Sequence, residues 1–270
     1  MMLFYITIFI FGLCIGSFLN CLIYRLETGR SFVKGRSFCP KCKHKLGFWD
    51  LIPIISFLML KRKCRYCKNK ISLQYPIVEI ATGLLLILNF KFLIFDQFLI
   101  FNFKTLLFIV YLLIINCLLI IVFIYDLKHY IIPDKIIYLA IGLALIFNGS
   151  AALTALSSLK GFQFSILSAF IAGGFFFLIW LISQGKWMGF GDVKLGFFMG
   201  LFLGWPNILT ALFLAFVIGS LAGLALISVG RKKFKSEVPF GPFLIIGTFL
   251  ALFWGREILG WYLGLMGQGV

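Results

Sequence analysis

The sequence predicts an all-α, polytopic membrane protein with about eight transmembrane helices and a small four-cysteine module after the first of them. Three observations predict this class: 62% of the 270 residues are hydrophobic, only 13% are charged, and the apolar residues form long blocks. A soluble domain is about half apolar and about a quarter charged, so the composition excludes an ordinary soluble globule. A transmembrane β-barrel would show short alternating segments instead of long blocks.

The apolar blocks set the predicted organisation of the chain. The first, residues 2–24, is long enough to span a bilayer and lacks the basic start and small-residue cleavage site of a signal peptide. Residues 1–25 are therefore predicted as a first membrane helix, 26–75 as an extramembrane module and 76–270 as a membrane core. The further predicted spans, of which the third and fifth are short for a bilayer, are 77–94, 105–125, 134–148, 163–183, 193–204, 207–229 and 242–262.

The charge distribution predicts how the chain is oriented. The formal net charge is +16, which in a soluble protein would suggest a nucleic-acid partner. Here 13 of the 25 basic residues lie between Arg25 and Lys70, and eight spans would place 21 of the 25 on the side of the module. Because cytoplasmic loops carry the excess of Lys and Arg, we expect the module in the cytoplasm, both termini outside it, and no nucleic-acid partner.

Four cysteines form two Cys-x-x-Cys pairs, Cys39 with Cys42 and Cys64 with Cys67, which are 21 residues apart. Two such turns can complete a tetrahedron of thiolates around one zinc ion. A module of this size is too small to be held by a hydrophobic core alone, which favours a structural metal. Iron or redox chemistry and unligated thiols remain alternatives.

Three of the nine acidic residues fall at the predicted cytoplasmic edge of the membrane: Asp126, Asp134 and Asp192. An ionisable residue there is costly and indicates function. Two carboxylates that face each other share a proton, so one can act as a base toward water and the other as an acid toward a peptide carbonyl. The alternative is that these residues cap helices. The spacing alone does not choose between Asp126 and Asp134 as the partner of Asp192.

Glycines precede Asp192, at positions 189 and 191, and they permit unusual dihedral angles or a close approach of another backbone. An extended peptide could lie beside the acid at this point. With its other motifs, the chain resembles bacterial type IV prepilin peptidases, of the GxGD membrane aspartyl protease group. The motifs are GSFLNCLIYRL (16–26), CPKC (39–42), CRYC (64–67), YPIVE (75–79), DLKHYIIPD (126–134), GFGDVK (189–194) and VPFGPFL (238–244).

The resemblance implies an enzyme of the bacterial inner membrane that cuts the basic leader from prepilins and pseudopilins at the cytoplasmic face. It also implies N-methylation of the new N-terminal residue with S-adenosylmethionine. The family's catalytic acids correspond to Asp126 and Asp192, its four cysteines to those named above, and its protease core to residues 76–270. Glu79 is a candidate for the S-adenosylmethionine site, and the alternative is a carboxylate that stabilises a helix start.

Two other classes of function are considered for the same residues. An ion or proton transporter predicts acids near the bilayer midplane and paired repeats, whereas the acids here lie at one face and no repeat is evident. A non-catalytic membrane scaffold with a zinc module predicts that substitutions of Asp126 and Asp192 are silent while cysteine substitutions are not.

Overall fold

The computed structural model describes residues 2–31, 35–95, 103–152, 156–230 and 238–265. These residues are mostly helical and contain no β-strand beyond two isolated bridges, which confirms the all-α prediction. The helices in the described ranges are α1 (Met2–Glu27), α2 (Ile55–Met59), α3 (Gln74–Phe95), α4 (Phe103–His129), α5 (Asp134–Ala152), α6 (Leu156–Ser183), α7 (Phe190–Leu203), α8 (Asn207–Ser228) and α9 (Gly241–Leu265).

Every predicted apolar block coincides with one long helix, and α2 is an additional short helix inside the four-cysteine module. Five of the described helices, α1, α4, α6, α8 and α9, are long and apolar enough to cross a membrane. The protein is therefore a membrane protein. The count of eight spans stays a prediction, as do the predicted domain limits and the sidedness of the termini. Four of the cations used for that sidedness, within 231–235, lie outside the described residues.

The chain divides into two compact units, Met1–Ile121 and Val122–Val270. In the first unit, α1 packs along α3 through a seam of small residues. A Cβ atom added to Gly12 would lie 2.6 Å from the Cα of Gly83, and one added to Gly16 would lie 2.6 Å from the Cα of Glu79. Small residues four apart let two membrane helices approach closely, and this spacing fixes the register of α1 on α3.

In the second unit, α7 is the central helix and packs on α5, α6, α8 and α9. Its residues Leu195, Phe198 and Met199 are fully buried. A helix that is apolar on all sides is expected in a protein interior. An interior helix need not span the whole bilayer, so α7 can be as short as 14 residues. The glycine at 200 lies so close to Ala169 of α6 that no side chain fits between them.

Candidate active site and metal centre

Asp126 lies in the last turn of α4 and is only 4% exposed. Its carboxylate accepts a hydrogen bond from the backbone N–H of Gly241, the first residue of α9. A Cβ atom at position 241 would lie 2.5 Å from Oδ2 of Asp126, so no larger residue fits there without a shift. The start of α9 therefore holds this carboxylate, which also benefits from the partial positive charge of a helix N-terminus.

Asp192 lies in the first turn of α7 and is 9% exposed. Its carboxylate accepts a hydrogen bond from the backbone N–H of Gly189, and its own N–H donates to the Gly189 carbonyl at 3.1 Å. The helix-stabilising alternative is thus partly realised, because this side chain closes the start of α7. The carboxylates of Asp192 and Asp126 also interact electrostatically, so the structure brings these two buried acids together.

The side chain of Ile132, in the segment between α4 and α5, packs against both glycine-containing helix starts. A Cβ atom at Gly191 would lie 2.9 Å from the Cβ of Ile132, and one at Gly241 would lie 3.4 Å from its Cδ1. The close approach that the sequence predicts at Gly191 is therefore made by a side chain, within an ordinary helix. Gly189 is exposed, and an added Cβ there would make only an ordinary van der Waals contact, 3.9 Å from the N atom of Gly191.

Asp134 is placed differently from Asp126. It is the first residue of α5, its side chain is 62% exposed, and Nζ of Lys194 lies 2.6 Å from its Oδ1. The positive charge of Lys194 is thus engaged by an acid at the surface of the unit. Of the two acids that the sequence offers as a partner for Asp192, only Asp126 is buried beside it.

The four cysteines predicted as metal ligands lie together in the first unit, although the two pairs are 22 or more residues apart along the chain. Their sulfur atoms are all within 4.8 Å of one another, and the sulfurs of Cys39 and Cys67 are 3.9 Å apart. Four thiolates at about 2.3 Å from a tetrahedral zinc ion would be about 3.8 Å apart. The arrangement therefore fits a zinc ion.

The two Cys-x-x-Cys turns have the same backbone geometry. The N–H of Cys39 donates to the carbonyl of His44 at 2.9 Å, and the N–H of Cys64 donates to the carbonyl of Asn69 at 2.8 Å. An isolated bridge flanks each turn at equivalent positions, between Phe38 and Lys45 in the first and between Lys63 and Lys70 in the second. Each turn is thus a separate small clip that presents two sulfur atoms.

A lysine follows the second cysteine of each turn, and Lys43 and Lys68 both have φ of 58°. This left-handed backbone directs the N–H group of the residue after the lysine toward the sulfur of the cysteine before the lysine. The N–H of Asn69 in particular lowers the pKa of Cys67 to about 6, which favours the thiolate form that binds metals. Four such ligands close the coordination sphere, so the site is suited to a structural role.

Glu79 lies in the first unit and is 6% exposed. Its carboxylate accepts a hydrogen bond from the backbone N–H of Ile54 at 2.8 Å, and its backbone lies directly against Gly16 of α1. It thereby joins α1, α3 and the loop before α2. The prediction that Glu79 contributes to an S-adenosylmethionine site stays a prediction, and the observed contacts give this residue a structural task.

Ile132 is not among the predicted site residues, although it falls within a motif of the resemblance. For Gly241 the resemblance suggests only that the loop of Pro239, Gly241 and Pro242 lies near the active site, and it does not predict the contact with Asp126. Their sequence signal was a glycine at a helix start and an apolar residue between two acids. Neither signal reveals a contact across more than 100 residues of chain.

Comparison with known proteins places the acid pair and the four cysteines within one family. Residues 10–92 match the family model described as the bacterial peptidase A24 N-terminal domain, and residues 113–224 match that of the type IV leader peptidase family. The first segment contains the four cysteines and Glu79, and the second contains Asp126 and Asp192.

Curated relatives cover nearly the whole chain. The chain is 32% identical to a prepilin leader peptidase/N-methyltransferase of Legionella pneumophila, covering 96% of this chain and 94% of that protein. It is 34% identical to a protein of the same name from Bacillus subtilis, covering 95% and 96%, and 28% identical to one from Pseudomonas aeruginosa, covering 95% and 92%. No solved structure matches the chain.

Proposed function

We propose that this chain, which belongs to the type IV leader peptidase family, uses Asp126 and Asp192 to cut the leader from prepilins or pseudopilins. The observation that carries the assignment of these residues is that both are buried and close enough to interact electrostatically, at the end of α4 and the start of α7. The relatives named above are prepilin leader peptidases/N-methyltransferases, and this chain accordingly cleaves prepilins and N-methylates the product.

In the proposed reaction, one carboxylate of the pair is ionised and the other keeps the shared proton. The ionised carboxylate removes a proton from water, and the water oxygen attacks the peptide carbonyl carbon. The protonated carboxylate donates its proton to the carbonyl oxygen. When the tetrahedral intermediate collapses, the C–N bond breaks and the leaving amine takes a proton from the pair. The N–H groups of Gly241 and Gly189 keep both carboxylates oriented.

The basic residues support an orientation in which the four-cysteine module and the acid pair face the cytoplasm of a bacterial inner membrane. The apolar helix of a prepilin would then enter from the lipid while its basic leader stays in the cytoplasm. The scissile bond would lie at the membrane edge, where α4 ends and α7 begins. The exposed backbone at Gly189 would let an extended peptide lie beside Asp192.

Two cofactors belong to the proposal. Zinc bound by Cys39, Cys42, Cys64 and Cys67 would hold the module together without taking part in either reaction. S-adenosylmethionine would supply the methyl group for the newly exposed amine. Because the carboxylate of Glu79 is already bonded to Ile54, we assign no step of methyl transfer to it.

The test is cleavage of a synthetic prepilin in proteoliposomes by three matched variants, Asp126→Asn, Asp192→Asn and Asp134→Asn. The first two should lower the initial rate at least about a thousand-fold, as expected for a group that acts in the chemistry. Asp134→Asn should stay close to the wild type because Asp134 is exposed and bonded to Lys194. Cleavage retained by both Asp126→Asn and Asp192→Asn would overturn the assignment of these carboxylates, whereas a wild-type protein that cuts no prepilin would favour the zinc-module scaffold.

The second activity is tested with a peptide that already lacks the leader. Mass spectrometry should show the gain of one methyl group with wild type and with Asp126→Asn alike, because methyl transfer needs no hydrolysis. Loss of methylation in Asp126→Asn would show that the two activities share this carboxylate. The transporter alternative receives no support from the family or from the relatives.

A further inference from the structure

Within the four-cysteine module, residues 48–60 (FWDLIPIISFLML) form a segment that is almost entirely apolar and that we name the apolar loop. Six of its thirteen residues are exposed, the other seven are half-buried, and none is fully buried in a core. The exposed fraction is 77% for Phe48, 71% for Trp49, 66% for Leu58 and 77% for Met59. Exposure of such an apolar patch to water would be unfavourable, which indicates that the patch contacts a protein or a membrane.

The loop is held at a depth that the membrane helices define. The N–H of Ile54 donates to Glu79, and the backbone of Glu79 lies directly against Gly16 of α1, where an added Cβ would be 2.6 Å from its Cα. Gly16 is eleven residues before the end of α1 at Glu27, or about 16 Å along the helix axis at about 1.5 Å per residue. It is also eight residues, or about 12 Å, inside the end of the apolar block 2–24, whose length matches the hydrocarbon thickness. The middle of the loop therefore lies within the bilayer, beneath the headgroups.

The backbone of the loop meets the requirement for such a position, because non-helical backbone at this depth needs internal hydrogen-bond partners. The N–H of Ile54, which precedes α2, is satisfied by the carboxylate of Glu79. The N–H groups of Ser56 and Leu58 bond to carbonyls within the loop, at 3.1 and 3.0 Å. The carboxylate of Glu79 thus supplies the acceptor that the start of α2 lacks.

The residues around the loop fit an anionic lipid surface. Lys61, Arg62 and Lys63 follow it directly, and Trp49 near its start is of the type enriched at membrane interfaces. The stretch from residue 25 to 75 carries 13 basic residues against two acidic ones. A basic leader peptide would be repelled by this surface, whereas anionic headgroups would be attracted to it.

From this geometry we infer that the apolar loop is inserted into the bilayer leaflet on the module's side, as a re-entrant contact that anchors the four-cysteine module to lipid. The occupant of the exposed apolar face is the upper acyl-chain region of that leaflet, with anionic headgroups on the adjacent lysines and arginine. The inference needs the membrane location of the chain and not its proposed reaction.

The test measures the depth of Trp49 in proteoliposomes that contain brominated phospholipids and some anionic lipid. The chain has six tryptophans, so the signal of Trp49 is obtained as the difference between wild type and Trp49→Phe. That difference should lose about half its intensity with bromines on the upper acyl chain and little with aqueous iodide, as expected for an interfacial tryptophan.

Two further variants on the Trp49→Phe background make the result independent of one site. Met59→Trp should restore quenching by brominated lipid, since Met59 is an exposed residue of the loop. Lys41→Trp, in the exposed turn between two cysteines, should be quenched by iodide instead. Iodide quenching of both Trp49 and Met59→Trp would overturn the inference. Protection from iodide that develops only when a prepilin is added would also overturn it, because the face would then belong to the substrate.

Discussion

The acid pair and the cysteine cluster are built by opposite means. Asp126 and Asp192 are held by the ends of long helices, each through one backbone N–H and with Ile132 packed against two glycines. The cysteines are held by two short turns that have little apolar interior of their own. The difference shows that the second unit positions its polar groups through packing, whereas the module of the first unit groups four sulfur atoms at distances that fit one metal ion.

Apart from substitutions of the two acids, the largest effect is expected from Gly241→Ala, which disturbs the packing that positions the acid pair. The new methyl group would lie 2.5 Å from Oδ2 of Asp126 and must displace it. Since a misplacement of about 1 Å can cost about a hundred-fold in rate, the initial rate of prepilin cleavage should fall by at least that factor.

The matched control is Gly260→Ala in the same helix, where an added Cβ meets nothing within 4 Å. It should leave the cleavage rate unchanged, and both variants should keep the helical circular-dichroism spectrum. An active Gly241→Ala would show that the start of α9 does not constrain the acid pair.

An intermediate effect on prepilin cleavage is expected from Cys64→Ser, which removes one ligand of the candidate metal site. Removal of one of four thiolates should abolish stoichiometric zinc, because ligand count decides the affinity of a structural site. Metal analysis should show this loss, and trypsin should then cut at the exposed lysines and arginines of the module. Cleavage of prepilin should fall less than in Gly241→Ala, because no ligand cysteine belongs to the second unit.

Cys14→Ser is the control for the zinc measurement, since Cys14 lies in α1 outside the cluster. It should retain the metal and resist trypsin like the wild type. Equal zinc content in Cys64→Ser and Cys14→Ser would show that the four cysteines do not bind a metal together.

The smallest effect is expected from Lys194→Met, which removes the ion pair with Asp134. Asp134 is mostly exposed, and pairs of this kind contribute about 0–1 kcal/mol. The thermal midpoint in detergent should therefore fall only slightly, and by less at high salt. A loss of several kcal/mol would indicate that Lys194 supports the packing of α7 itself.

The long helices could be predicted from the sequence because each apolar block is a local property of the chain. The block 134–148 coincides with α5 and the block 193–204 with α7, even though both blocks are short for a bilayer. The ends of helices were less predictable: α1 continues through Arg25 to Glu27, since a helix can extend beyond the lipid into polar sequence.

The choice between Asp126 and Asp134 could not be predicted, because it depends on contacts between distant segments. Asp126 is buried by the start of α9, more than 100 residues later, whereas Asp134 meets Lys194 at the surface. The cysteine cluster was predictable because spacing alone specifies the two turns. The apolar loop was missed since the surrounding lysines and arginines made the whole stretch look polar.

The glycine seam between α1 and α3 also sets an order of events during synthesis. Helix α1 ends at Glu27 and α3 begins at Gln74, so the ribosome adds 46 residues before the partner of α1 starts to appear. At about 5–20 residues per second this takes about 2–9 s. All four cysteines are made within that interval. The last of them, Cys67, comes only seven residues before Gln74, so a clip closed by the four cysteines would form as α3 appears and would shorten the tether along which α3 must find α1.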